Sequence, residues 1–216
     1  MSQKSRVVNV LDRDFRGWVP VIDSTGKEFE LFYSTQVKTK PNSKYFTVLE
    51  GFKKNKVVSI NHRSLPHRLY SEYLGSLEIH EACFFILDLS RSELLFKKNG
   101  RMVQVMVQAN NLTPGEYLIL NPDRRHSENV VESYVSEVNG GSRFAETWFP
   151  LVKGEFEFKY LHYGSFSKGC VTVLSGSGWK DVYLYVISSR MKGLEGNAHG
   201  RLLVVEDLSE STTMQK

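Results

Sequence analysis

A histidine and a cysteine stand eight positions apart in Leu161-His162-Tyr163-Gly164-Ser165-Phe166-Ser167-Lys168-Gly169-Cys170-Val171-Thr172-Val173. Cysteine catalysis needs a thiolate, and a neighbouring imidazole supplies it by taking the thiol proton. The histidine ends one strand-like run and the cysteine opens the next. A Gly- and Ser-rich link joins them, so neighbouring strand ends could place the two side chains within hydrogen-bond reach. Gly169 allows a substrate to approach the backbone closely, and the amides of Gly169 and Cys170 can then face a developing oxyanion. The competing reading is that Cys170 is a small buried hydrophobe, which free cysteine commonly is.

The other cysteine shows the contrast. Cys83 lies in the apolar run Ala82-Cys83-Phe84-Phe85-Ile86-Leu87, which predicts a packing role. His62, His67, His80 and His126 are scattered without carboxylates at ligand spacing, so neither a metal nor another cofactor is expected. His199, between Ala198 and Gly200, reads as part of a surface turn. Arg124, Arg125 and His126 read as a charged loop, either solvated or reaching substrate carboxylates over a cleft. Gly176 and Gly178 are too few to make a phosphate loop.

The segment from His162 to Val173 resembles the active-site motif of the L,D-transpeptidase catalytic domain. That family has an upstream histidine and glycine, then Ser-His-Gly-Cys before a small apolar strand. The matching residues are His162, Gly164, Ser167, Gly169 and Cys170. A second stretch is similar too: a charged hairpin over Phe84–Gln108, then Thr113-Pro114-Gly115-Glu116-Tyr117. The resemblance covers residues 82–206. It departs in the short His-to-Cys link, in Lys168 where the motif has histidine, and in Thr172 where Asn or Arg is usual. It implies that Cys170 attacks a peptidoglycan stem peptide, that His162 moves the proton, and that the Tyr163 carbonyl orients the imidazole. It also implies that Gly169 supplies an oxyanion amide and that Gly164 and Ser167 shape substrate binding. Outside the resemblance, Lys168, Arg124 and Arg125 read from their charge as further substrate contacts or as solvated side chains. Partners would be stem peptides and, for a secreted antibacterial effector or a phage-associated protein, an immunity or delivery protein.

The elements that must position these groups are mostly strands. Runs rich in Val, Phe and Tyr with turn residues between them predict strands at Gly17–Asp23, Glu28–Tyr33, Phe46–Glu50 and Lys56–Ile60. Residues Lys38–Lys44, with Pro41, read as a loop, and Ser64–Leu74 is ambiguous between loop and helix. Strands follow at Cys83–Asp88, Glu93–Lys98 and Arg101–Gln108, the last two joined by Asn99-Gly100, a type I′ turn signal. Alternation predicts a strand over Glu155–His162, and short apolar runs predict others up to Leu120, over Cys170–Leu174 and over Arg201–Glu206. Trp179, Val182, Tyr183, Val186 and Ile187 fall at helical spacing, with Ser177 as a candidate N-cap and Gly193 as a stop. The expected fold is mainly β. A β-rich region over residues 1–75 precedes a β-sandwich-like, L,D-transpeptidase-type domain with one amphipathic helix over 76–208, and 209–216 form a flexible tail.

Composition narrows the classes. Hydrophobic residues make up 41% of the 216 positions and aromatics 12%, which excludes a wholly disordered chain. Two cysteines are too few for a disulfide scaffold. A net charge of +4 is mild, so no nucleic-acid partner is expected. No apolar run reaches the ~20 residues of a membrane span. Val7–Leu11 is shorter than a secretory apolar core, so the expectation is synthesis in the cytoplasm and action in the periplasm or cell wall after specialised export.

Overall fold

A computed structural model describes residues 5–12, 17–63, 70–126, 144–154, 157–165, 169–194 and 197–211. The first seven strands are β1 (Arg6–Val10), β2 (Trp18–Asp23), β3 (Glu28–Phe32), β4 (Gln36–Thr39), β5 (Phe46–Val48), β6 (Val57–Ile60) and β7 (Leu74–Gly75). They form one sheet in the order β3-β2-β6-β5-β4-β1-β7. Its buried face packs Val8, Val10, Val21, Val37, Val48 and Val58 into a core of its own. β4 begins just before the stretch Lys38–Lys44 that the sequence reads as a loop and takes in its first two residues. Val37 explains it: paired to Val8 on one side and Val48 on the other, it is fully buried. In the ambiguous stretch, residues 70–73 make a 3₁₀ turn that leads into β7, and residues 64–69 lie outside the described set.

The remaining strands are β8 (Cys83–Asp88), β9 (Glu93–Lys98), β10 (Arg101–Ala109), β11 (Gly115–Leu120), β12 (Phe149–Lys153), β13 (Glu157–Tyr163), β14 (Val171–Val173) and β15 (Ala198–Val205). They do not form the sandwich expected from sequence but a closed barrel, β10-β14-β13-β12-β11-β15-β8-β9. Closure follows from the pairing: β10 is bonded to both β9 and β14, and β15 to both β11 and β8, so no edge remains. Two pairs, β13–β14 and β15–β8, are parallel. Asn99 and Gly100 take positive φ, as a type I′ turn requires. β12 has no clear sequence signal, because Pro150 argues against a strand. It is tolerated because β11 pairs only with Leu151 and Val152, beyond it.

Helix α1 (Gly176–Ile187) buries Trp179, Val182, Tyr183, Val186 and Ile187. Its N-cap is Ser175 and not Ser177: the Ser175 hydroxyl accepts from the Gly178 amide at 3.1 Å, which is the three-residue reach of a cap. The helix face joins the barrel core with Phe85, Leu87, Phe96, Tyr117, Ile119, Phe149 and Leu161. Each such apolar side chain contributes about 1.5–3 kcal/mol on burial. Trp18 and Phe32 from the first sheet enter that same core, so the two sheets share packed surface.

The junction also carries ions. Arg190 donates to both oxygens of Glu50 at 2.9 and 2.7 Å and to the Ser34 carbonyl and hydroxyl. Arg125 binds Glu146 through two nitrogens, at 2.9 and 2.8 Å, and reaches Glu30 on β3 at 3.1 Å.

Candidate functional site

His162 and Cys170 meet the parallel seam between β13 and β14. Register pairs Leu161 with Val171 and His162 with Thr172. Leu161, Tyr163, Val171 and Val173 point into the core. Tyr160 and His162 therefore stand on the opposite, outer face of the wall, by the period of two. His162 is nevertheless only 6% exposed, because Trp148 covers it. The two rings stack at 4.2 Å, and His126 stacks on the far side of Trp148 at 4.2 Å. Tyr160 packs edge-on against both His126 and Trp148.

Both ring nitrogens of His162 are engaged. Nδ1 lies 2.9 Å from the Tyr163 carbonyl oxygen, and Nε2 lies 3.1 Å from Thr172 Oγ1. A carbonyl only accepts, so the proton sits on Nδ1, and Nε2 accepts from the threonine hydroxyl. Burial pushes the imidazole down to about 4; the Tyr163 hydrogen bond opposes this, while the charge of His126 adds to it. At neutral pH the ring is thus an uncharged base with its lone pair on Nε2. Gly164 lets the ring lie close: a Cβ there would sit 3.3 Å from Thr172 and 3.6 Å from His162 Cε1.

Cys170 is half-buried, one residue before β14, beside Tyr160. Burial pushes its thiol up, while the Tyr160 backbone hydrogen bond and the Lys159 charge pull the other way. The resting pair is therefore a neutral thiol and a neutral imidazole. Thr172, not Cys170, occupies His162 Nε2. Gly169 has φ of +119°, a conformation that side chains rarely adopt, and a Cβ there would come within 3.1 Å of Lys159 Nζ.

Of the other residues singled out in the sequence, Ser167 and Lys168 lie outside the described residues. Arg124 is exposed and 4.0 Å from Asp123. The guanidinium of Arg125 is held by Glu146 and Glu30 rather than turned to the seam. His199 is a correction: it sits on β15, fully buried, not on a surface turn.

Beyond the expected pair the cluster holds Thr172, Trp148, His126, Tyr160 and Asp123, of which Trp148 and Asp123 carry no sequence signal that places them. Asp123 Oδ1 lies 3.4 Å from His126 Nε2, and Asp123 Oδ2 accepts from the Tyr160 hydroxyl at 3.4 Å. Burial raises the Asp123 carboxyl, but His126 outweighs it and holds the group below its usual range. Strand alternation alone puts Tyr160 on the face of His162. Nothing local to Trp148 or Asp123 does so.

Comparison with protein-family models, curated proteins and solved structures finds no match to this chain. Among the described residues, no group of three or more His, Cys, Asp or Glu is placed to hold a metal ion. No helix there is long and apolar enough to cross a membrane.

Proposed function

We propose that the protein is a cysteine-dependent acyl-transfer enzyme of the L,D-transpeptidase or L,D-carboxypeptidase type, acting on peptidoglycan stem peptides in the periplasm or cell wall. One observation carries the reading: the Tyr163 carbonyl fixes the proton of His162 on Nδ1, which leaves Nε2 as the base on the strand seam that Cys170 opens. The motif resemblance supplies the substrate class.

In this reading the resting pair is uncharged, so proton transfer accompanies attack. Cys170 Sγ bonds to the scissile carbonyl carbon as its proton passes to His162 Nε2, and the amides of Gly169 and Cys170 receive the oxyanion. Collapse breaks the C–N bond. The imidazolium returns the proton to the leaving amine, and a thioester remains. An amine acceptor then gives a new crosslink, and water gives a shortened peptide.

A second reading, a non-catalytic β module, has one observation in its favour: the Thr172 hydroxyl already fills Nε2. A different cysteine hydrolase would use the same pair on another amide or ester. Incubation with purified disaccharide-tetrapeptides, followed by mass analysis of the peptides and the protein, separates the three. The expected result is a lost or exchanged terminal residue and a protein adduct, both absent in Cys170→Ala and retained in Cys83→Ala. Unchanged stem peptides overturn the cell-wall reading. A Cys170→Ala variant that exchanges the terminal residue as fast as the unaltered protein overturns catalysis by this thiol.

A further inference from the structure

The two halves of the chain differ in charge. Residues 1–75 hold 13 Lys and Arg against 7 Asp and Glu, whereas residues 76–216 hold 15 against 17. All the net positive charge therefore belongs to the part that the candidate site does not use. Some of it collects on one surface. On the outer face of the first sheet, Val7, Lys38, Thr47 and Val57 are register partners across β1, β4, β5 and β6. Their chain neighbours Val8, Val37, Val48 and Val58 supply the buried side.

A cleft of about 390 Å³ opens over this row, lined by Ser5, Lys38, Lys40, Ser43, Tyr45, Phe46, Thr47 and Val57. No acidic residue lines it. Among the described residues neither Lys38 nor Lys40 is in an ion pair. Tyr45 is 41% exposed and Val57 46%, and Lys44 lies over the Tyr45 ring at 5.3 Å. The cleft thus combines two ammonium groups without an ion pair among the described residues, hydroxyls from Ser43 and Thr47, and an exposed aromatic ring. Three strand spacings make the row about 14 Å long, more than one sugar ring.

We propose that this cleft binds an anionic glycan–peptide polymer, with Lys38 and Lys40 on its carboxylates and Tyr45 against a sugar face. The choice of polymer rests on the proposed function: peptidoglycan carries sugars, amides and free stem carboxylates along one strand. The cleft would hold the insoluble substrate while the barrel presents Cys170. Separating the two tasks fits the excess of basic over acidic residues in 1–75 and its absence in 76–216.

The test is co-sedimentation of the full chain with purified sacculi, made in the Cys170→Ala background so that binding is read without turnover. The expected result is saturable binding that weakens with added salt, as exposed charge contacts do. It should fall about tenfold in Lys38→Glu/Lys40→Glu and stay unchanged in Arg101→Glu, a charge reversal at the far hairpin. Matching melting temperatures establish that the variants are folded. Equal sedimentation of the double variant overturns the proposal. Tighter binding to duplex DNA than to sacculi also overturns it and assigns the cleft to a nucleic acid. Because the thiol is absent throughout, this result is independent of the stem-peptide assay, and either reading can fail alone.

Discussion

His162 and His199 are both buried on barrel strands, yet their surroundings ask different things of them. His199 lies at the junction of sheet and barrel. Its Nδ1 is 2.9 Å from the Ser189 carbonyl and 3.0 Å from an Arg190 nitrogen, with Phe32 and Phe149 edge-on to the ring. Burial and the Arg190 charge hold it well below the usual imidazole range. A permanent cation at that distance leaves no room for a proton to arrive. His162 meets only neutral hydrogen-bonding partners, a carbonyl and a hydroxyl, and the hydroxyl can be exchanged for another group. Burial alone therefore does not mark a working histidine. The neighbours decide whether the free nitrogen has somewhere to take a proton from.

Breaking the junction should have the largest effect. Arg190→Met leaves Glu50, 2% exposed, as a buried unpaired carboxylate. The expected loss is about 3–5 kcal/mol in urea unfolding, with much of it recovered in Arg190→Met/Glu50→Met. A loss below about 1 kcal/mol would remove the junction from the comparison.

The next effect belongs to His162 and depends on pH. Its folded value of about 4 lies below the ordinary 6.5, so between these values the unfolded chain binds the extra proton. Its stabilising contribution is fully present above about 6.5 and disappears as pH falls through about 4. The change is about 3 kcal/mol relative to His162→Gln, in which the His199 contribution cancels. Parallel stability curves for the two proteins over this range would contradict the neutral, oriented imidazole.

Thr172→Val removes the hydroxyl from Nε2 and leaves a buried acceptor open, for an expected cost of about 1–2 kcal/mol. On the proposed function it also frees the base, so Cys170 alkylation should quicken while Cys83 stays unreactive, its thiol pushed up to about 12 by burial. Unchanged alkylation would favour the non-catalytic reading. The smallest effect is expected at Lys98 and Asp181, a 2.8 Å pair with both side chains partly exposed. Lys98→Ala should cost under about 1 kcal/mol, so the same type of bond differs severalfold between surface and junction.

Local pattern made much of this legible. Most strands, the Asn99-Gly100 turn and the apolar stripe of α1 follow from short-range periodicity. So does the division between Cys83, 1% exposed, and Cys170 at a strand opening. The closed barrel was not legible, because it depends on which distant strands pair, and no periodicity encodes that. His199 misled for the same reason: two small neighbours, Ala198 and Gly200, suggest a turn, whereas Gly200 is pressed against β8, where a Cβ would collide with the Cys83 backbone. The roof over His162 was hidden because Asp123, His126 and Trp148 approach the β13–β14 seam from other parts of the chain.

The pairing of β8 with β15 has a consequence in time. These strands are the first and last of the barrel, so Cys83 waits for Gly200 before the wall is complete. Until then β8 and β11 each present an unsatisfied edge, while the β13–β14 seam can already form. Contacts of such sequence separation slow folding and leave the nascent chain open to wrong partners.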